Sequence, residues 1–573
     1  MSPRPPVWPQ GTKQLLPHIL FTIAKDYPSL TYAIFPAKEG KGLRNVSYRE
    51  VANAVHEVAW WIEENIGAGT KIGGQTFVYM GPNDIRYAVL CLGSIVAGHK
   101  MLFPSPRYGA PALIKLIDSV DAKVMLTPEI ALPITSEILQ EKPQMQSLQI
   151  PTVDQLLGAE GVQAYPFTKT FEQHGHEQFV CLHTSGTTGF PKKIPLTHEW
   201  IHHAAVSLYL PPPTGYEKTE EMLYGTRTSA GTRSLFLFPP FHSSGLFGMI
   251  LFPLLSGMTP VYPHPWTTPA EGIEAVLATL CDLAIQQQQS DNEPTKQAKH
   301  VVDSVTLPPP CIEHLAKHPS LLTTLAKQVP AVAWGGGSIT PSAGATVAST
   351  MRNILNGFAS TEMGIWPCIR PTHADVSVDG LWEYLCPHPA LNMRFDPVPT
   401  ADSGALVCEA VIQRNDGTQW DGYVQPIFAL HTRETEIRTG DLFVRHPAQQ
   451  DMWRHYGRTD DMLVFLSNEK FYPGVAEIRI SALPRVAEVM LVGTRRPKAA
   501  LLLRLEGGDA GAGLDDDLWT GIEGVNVGLP VYARVERGMV VIVDTPFLKT
   551  AKGSVQKKAM LERYEKELDA LYG

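Results

Sequence analysis

No two of the seven cysteines (Cys91, Cys181, Cys281, Cys311, Cys368, Cys386 and Cys408) form a CxxC pair, and no histidine is spaced as a zinc partner. A disulfide framework and a structural zinc site are therefore not written into this chain, and the thiols are expected to be reduced and mostly buried. Charge is modest as well. Asp, Glu, Lys and Arg make up 18% of the residues and the net charge is -9, so no basic excess recommends a nucleic acid as partner. The opening residues, MSPRPPVWPQGTKQLL, lack the apolar stretch of a secretory signal, and no lipidation or retention signal appears, which makes the cytoplasm the expected location. One stretch lacks charge altogether: Ser234 to Met258, SLFLFPPFHSSGLFGMILFPLLSGM, is long enough to span a bilayer. Pro239, Pro240, His242, Ser243, Ser244 and Gly245 interrupt it and would strand backbone groups in lipid. A buried strand, a turn and a core helix are predicted there instead, with no membrane partner.

What the chain does contain is alternation. In SYREVANAVHEVAWWIEEN, Ser47 and Glu50 form a capping box ahead of Val51, Val55, Val58 and Ile62 at helical spacing. A short apolar run, Thr76 to Met80, follows, then a helical stretch from about Asp84 to Ala97, then KMLFPS and AKVMLTP. Strands alternating with helices predict an α/β fold, a parallel-rich sheet with covered faces. The polar segment Ile285 to Lys299 reads as an exposed loop or helix end. With 573 residues, two to four folding units are expected. Beyond Arg458 the texture changes to three short strand candidates, VAEVMLVG, AALLLRLE and MVVIVD, separated by a Gly/Asp loop. These predict a small α+β domain at the C-terminus.

The most informative stretch is HTSGTTGFPKK, His183 to Lys193, in which six consecutive Thr, Ser and Gly residues precede Pro191 and two lysines. Such a loop can turn several N–H and O–H groups toward one anion while the lysine adds charge, so it is read as a phosphate loop. It is not a Walker loop, which would need glycine at Pro191. A solvated linker would need neither the Pro-Lys pair nor the strand-like EQFVCLH that feeds it.

TSGTTGFPK resembles the phosphate loop of the adenylate-forming superfamily: acyl-CoA synthetases, luciferases and nonribosomal-peptide adenylation domains. Four further stretches resemble that superfamily's signatures in the expected order: NGFASTEMG, IRTGDLF, YGRTDDMLVF and FLKTAKGSVQKK. The resemblance implies roles. Thr184, Ser185, Gly186, Thr187, Thr188, Gly189 and Lys192 would grip the ATP phosphates, with Asn356 and Phe358 at adenine. Thr361 would contact the α-phosphate, Glu362 would hold Mg²⁺, and Asp441 would accept from the ribose hydroxyls with Arg458 nearby. It also implies a large N-terminal adenylation subdomain, residues 1–458, and a small mobile lid, residues 459–573, hinged at Asp460. The family's lysine motif places Lys after Gly, but Ser554 stands there, so Lys552 is assigned the catalytic role with Lys549 as the alternative. Ala359 in place of Gly, Lys193 after Pro-Lys, and Ser467-Asn468 after the hinge are further departures.

WWIEENIG, MGPNDIRYAVL and SPRYG look most like adenylation domains of fungal nonribosomal-peptide-synthetase-like proteins of the carboxylic acid reductase type. That likeness implies a first module, followed in the parent protein by a carrier domain bearing phosphopantetheine and by a reductase domain. Amino-acid-activating relatives carry an Asp where this chain has His242 and Ser243 in FPPFHSSGLFG, so a small non-amino carboxylic acid is expected, an aryl acid foremost. Gly336 and Gly337 in AWGGGSIT are expected to let a flat substrate approach the backbone. His242 could equally be a core residue, and Trp334 and Trp366 either core or an aromatic box. A free-standing acyl-CoA ligase and an ATP-binding module without turnover are the alternatives.

Overall fold

The computed structural model describes residues 13–37, 42–72, 74–185, 191–219, 232–290, 300–351, 353–372, 380–398, 406–418, 420–467, 469–507, 513–549 and 555–573. Two parallel-rich sheets dominate the first part of the chain. One has six strands, in the order Gln146–Gln149, Val124–Thr127, Thr76–Tyr79, Lys100–Leu102, Gln178–Ser185 and Pro191–Thr197, all parallel except the last pair. The other has seven, running from Asn353–Asn356 through Ala331–Trp334 and Ser304–Leu307 to an antiparallel edge at Leu43–Ser47.

The pleat explains why these sheets stack. Phe77 and Tyr79 of one sheet, and Ala331 and Ala333 of the other, enter a shared core that also takes in the helices Tyr48–Asn65 and Arg86–Val96. Their alternate neighbours Val78 and Met80 belong to a second cluster, and Val332 and Trp334 to a third, each covered by its own helices. Strands buried on both faces read as continuous apolar runs, which is how these appear in the sequence. The predicted capping box is present: Glu50 N donates to Ser47 Oγ at 3.3 Å and Ser47 N to Glu50 Oε2 at 2.7 Å. The uncharged stretch becomes the strand Arg233–Phe236, a turn, and a buried helical segment from Ser243 to Leu255. Its middle, Phe247–Leu251, is a π-helix that the sequence does not announce. No helix among the described residues is long and apolar enough to cross a membrane.

A seven-stranded antiparallel sheet follows, including Val407–Gln413, Glu436–Arg445 and Trp453–Arg458. Beyond it, Leu463 to Leu568 contribute a core of their own around a three-stranded sheet, Val486–Val492, Ala500–Leu505 and Val540–Val543. Six cysteines are buried and Cys281 is exposed.

One buried histidine carries a consequence for acid stability. His198 is 4% exposed, stacks on Phe179, and its Nδ1 has no partner among the described residues. Burial pushes its pKa down to about 4. The unfolded chain therefore binds this proton more readily than the folded one between about pH 6.5 and 4, and stability falls as the pH drops through that window. The loss from this residue is about 3 kcal/mol. Urea unfolding at pH 7 and pH 4.5 should show it, and His198→Leu should flatten the slope.

Candidate active site

The parallel strands Ala331–Trp334 and Asn353–Asn356 end side by side, with Trp334 and Asn356 in register. Gly335 to Gly337 and Gly357 to Phe358 then run out into a cleft of 2490 Å³ that extends to the small domain. Ligands of open α/β sheets sit at such carboxyl ends. Close approach is built in, because Gly357 N donates to Trp334 O at 2.8 Å and a Cβ on Gly335 would fall 2.7 Å from Gly357 O.

The phosphate-loop candidate is a hairpin. Gln178–Ser185 pairs antiparallel with Pro191–Thr197, setting Thr184 opposite Lys192 and Ser185 opposite Pro191. Thr184 and Lys192 line the cleft. Gly186, Thr187, Thr188 and Gly189 lie outside the described residues, as does Lys552.

Thr361 and Glu362 occupy the turn of a second, tighter hairpin, whose strands are Ala359–Ser360 and Gly364–Ile365. Met363 N donates to Ser360 Oγ at 3.1 Å across the turn. From behind, the buried Trp200 indole N–H donates to Glu362 O at 2.7 Å. Gly364 has φ of +77°, and a Cβ there would stand 3.2 Å from Phe247 Cζ. The turn is thus pinned from behind while Thr361 and Glu362 border the cleft. Among the described residues no side-chain hydrogen bond or ion pair engages the Glu362 carboxylate, and no group of three or more His, Cys, Asp or Glu could hold a metal unaided. Mg²⁺ typically takes one or two carboxylates and completes its shell with water and phosphate oxygens, so this donor set fits it.

Asp441 is 6% exposed and faces the cleft between two cationic or potentially cationic groups. Arg458 Nη1 donates to Asp441 Oδ1 at 3.1 Å, and His455 Nε2 lies 3.5 Å from the same oxygen. His455 also packs on Phe358 at 5.2 Å, linking the ribose and adenine candidates. Sequence reading did not single out His455, and the register explains why. Asp441 pairs with Arg458 and Phe443 with His455, so Tyr456 is an extra residue on that strand. Three residues apart on a regular strand, His455 and Arg458 would face opposite ways; the bulge puts them on one face.

Phe358 stands edge-on to the buried Trp366 at 4.5 Å, and both tryptophans of the sequence analysis, Trp334 and Trp366, are core residues that touch the cleft. Gly336 and Gly337 line it too. His242 and Ser243 are not among the lining residues. His242 Nδ1 instead accepts from Ser244 N at 3.2 Å, capping the short helix that begins at Ser243, and its ring stacks on Phe238 at 5.6 Å. Asp460 borders the cleft in a 3₁₀ turn, Thr459–Asp461. Just ahead of it, Tyr472 of the small domain lies against Gly457, where a Cβ would fall 2.0 Å from Tyr472 Cζ.

The AMP-binding enzyme family matches residues 20–385, and the AMP-binding enzyme C-terminal domain matches residues 460–573. The chain belongs to the AMP-binding enzyme family. It is an adenylate-forming ligase, which activates a carboxylic acid with ATP. Among similar proteins are the carboxylic acid reductase of Neurospora crassa, 27% identical over 98% of this chain and 51% of its own length, and the adenylate-forming reductase Nps9 of Serpula lacrymans, 26% identical over 95% and 48%. The isocyanide synthase-NRPS hybrid crmA of Aspergillus fumigatus is 28% identical over 98% of this chain and 33% of its own length. The chain thus spans about half the length of the two reductases and a third of the hybrid. In fold, this ligase is similar to ATP-bound MatB from Rhodopseudomonas palustris (TM-score 0.65, 16% identity, covering 96% of this chain and 99% of that one). It is likewise similar to the anthranilate CoA ligase AuaEII in complex with anthranoyl-AMP (TM-score 0.66, 16% identity, covering 97% and 98%).

Proposed function

We propose that this ligase adenylates a small non-amino carboxylic acid, an aryl acid foremost, and passes the acyl group to the phosphopantetheine thiol of a carrier domain, with a reductase domain beyond. The observation that carries the reading is the convergence of Thr184, Lys192, Thr361, Glu362, Asp441 and Arg458 on one cleft. They come as three pairs from three separate places, the Gln178–Ser185 and Pro191–Thr197 hairpin, the Ala359–Ser360 and Gly364–Ile365 hairpin, and the paired strands of Asp441 and Arg458, so a common purpose explains their bordering one cleft better than local packing does. The reductase names of the similar proteins, and their greater length, support the downstream domains.

In the first half-reaction a carboxylate oxygen of the acid attacks the α-phosphorus and pyrophosphate leaves with the electrons of the broken P–O bond. Catalysis of such a step is mostly positioning and charge stabilisation. Lys192 and Thr184 would hold the phosphates, Thr361 the α-phosphate, and Asp441 the ribose hydroxyls, with Phe358 and Asn356 at the base. Mg²⁺ on Glu362, when bound, would offset phosphate charge. A lysine of the small domain, Lys552, would bridge carboxylate and α-phosphate. For thiol transfer the lid, residues 459–573, would turn about Asp460. The preference for a non-amino acid rests on the sequence resemblance, since amino-acid-activating relatives carry an Asp in the stretch corresponding to Phe238 to Gly248 and this chain has none there; no residue of that stretch lines the cleft itself.

ATP–pyrophosphate exchange across benzoic, cinnamic, hexanoic, pyruvic and α-amino acids tests this directly. Aryl acids should exchange at least about a hundredfold faster than their amino-acid counterparts, because an enclosed ammonium without a partner carboxylate costs about 3–5 kcal/mol. Exchange with amino acids alone would reverse the substrate assignment, and thioester formation on free CoA as fast as on a carrier domain would point to a free-standing ligase.

A further inference from the structure

Two lysines, Lys549 and Lys552, compete for the bridging role in the proposed half-reaction, and the surroundings of Glu488 separate them. Glu488 lies on the strand Val486–Val492 with its side chain only 7% exposed. Its Oε2 accepts from Arg504 Nε at 2.5 Å, on the next strand, and from the main-chain Phe547 N at 3.0 Å. Its Oε1 meets Lys549 Nζ at 2.5 Å. Burial by itself would raise the Glu488 carboxyl, but Lys549, the Phe547 amide and Arg504 together hold it below the usual carboxylate range. Lys549 itself is 47% exposed and borders the cleft.

The same stem is tied a second time. Lys549 forms a bridge with Val555, Gln556 N donates to Leu548 O at 2.8 Å, and Gln556 Nε2 donates to Lys549 O at 2.7 Å. Both ends of the segment that carries Lys552 are therefore anchored next to each other, and one enclosed carboxylate supplies a large part of the anchor. An ammonium already neutralised by that carboxylate offers little net charge to two substrate anions, and leaving it would strand Glu488 with less than its full set of partners.

We infer that Lys549 is a strut and not the bridging cation, and that Glu488 is the positioning residue which, through Lys549 and the Phe547 amide, fixes the stem formed by Leu548 and Lys549 against Val555 and Gln556, the residues that flank the motif lysine in sequence. The inference rests on the adenylation reading above, and the test keeps the two apart. Pyrophosphate exchange is measured with the fastest acid of the panel for Glu488→Gln, Lys549→Met, the double variant and Lys552→Ala, with thermal midpoints alongside. Glu488→Gln and Lys549→Met should each lower kcat about tenfold, with the KM for ATP within about twofold, as expected for a misplaced group that does not itself touch nucleotide. The double variant should be no worse than either single one, because both act through one contact. Lys552→Ala should lose more than about a hundredfold. A Lys549→Met loss as deep as that of Lys552→Ala, or wild-type exchange in Glu488→Gln, overturns the inference. Should Glu488→Gln fold poorly, Lys549→Met with an unchanged midpoint decides it. Full exchange in both lysine variants would instead sink the adenylation reading of this motif.

Discussion

Glu362→Gln is expected to lower kcat for acid-dependent pyrophosphate exchange by about a thousandfold, equivalent to about 4 kcal/mol of transition-state stabilisation. Glutamine keeps the volume and one oxygen acceptor, so only the charge is lost. The geometry argues that this charge is held in place and not merely nearby. Glu362 sits at the turn of the Ala359–Ser360 and Gly364–Ile365 hairpin, its carbonyl fixed by Trp200 at 2.7 Å and the turn closed by Met363 N on Ser360 Oγ. None of these contacts uses the carboxylate, so the variant should keep its thermal midpoint. A pinned residue with a free anionic group beside the proposed phosphate site is what a hard cation needs. The Mg²⁺ concentration for half-maximal exchange should therefore rise in the variant, a shift that a purely structural role would not produce. Exchange at the wild-type rate, with unchanged Mg²⁺ dependence, would remove Glu362 from the reaction.

The hairpin also shows which parts of the site could be read in advance. Local chemistry was legible: the Ser47–Glu50 capping box, the alternation behind the two parallel sheets and the three strands of the small domain appear where residue order puts them. The motif residues that reach the cleft, from Thr184 to Arg458, are short contiguous signals and were legible too. What escaped depends on contacts between distant segments. Trp200 is 162 positions from the carbonyl it holds, and nothing in its own helix, His198–Leu208, marks it. His455 escaped because a single extra residue, Tyr456, inverts the side on which it faces. His242 was singled out by analogy of position, yet it stands off the cleft and its Nδ1 caps the short helix that begins at Ser243, a use that neighbours Ser243 and Ser244 could have suggested. Glu488 reads as an ordinary strand residue until Arg504, Phe547 and Lys549 are brought around it.

Asp441→Asn should cost about three hundredfold in kcat/KM for ATP, most of it in KM, because two charge-assisted hydrogen bonds to a vicinal diol are each worth about 1.5–3 kcal/mol and one neutral acceptor survives. Binding to the ribose is the same before and during phosphoryl transfer, so kcat should change far less than in Glu362→Gln. The backbone that carries Asp441 is independently secured: its N–H donates to Thr439 Oγ1 at 3.0 Å, and Thr439 Oγ1 donates to Ala410 O at 2.9 Å. The substitution should therefore leave the strand in place. Arg458, 46% exposed at its side chain, loses its partner at 3.1 Å but remains hydrated, so Arg458→Met alone should cost only about tenfold. If the arginine acts by orienting Asp441, the double variant should be little worse than Asp441→Asn, whereas an independent hold on the nucleotide would make the two losses multiply. Isothermal titration with ATP separates these cases without any acid present. Unaltered ATP affinity in Asp441→Asn would mean that the ribose lies elsewhere in the cleft, and the placement of adenine against Phe358 would fall with it.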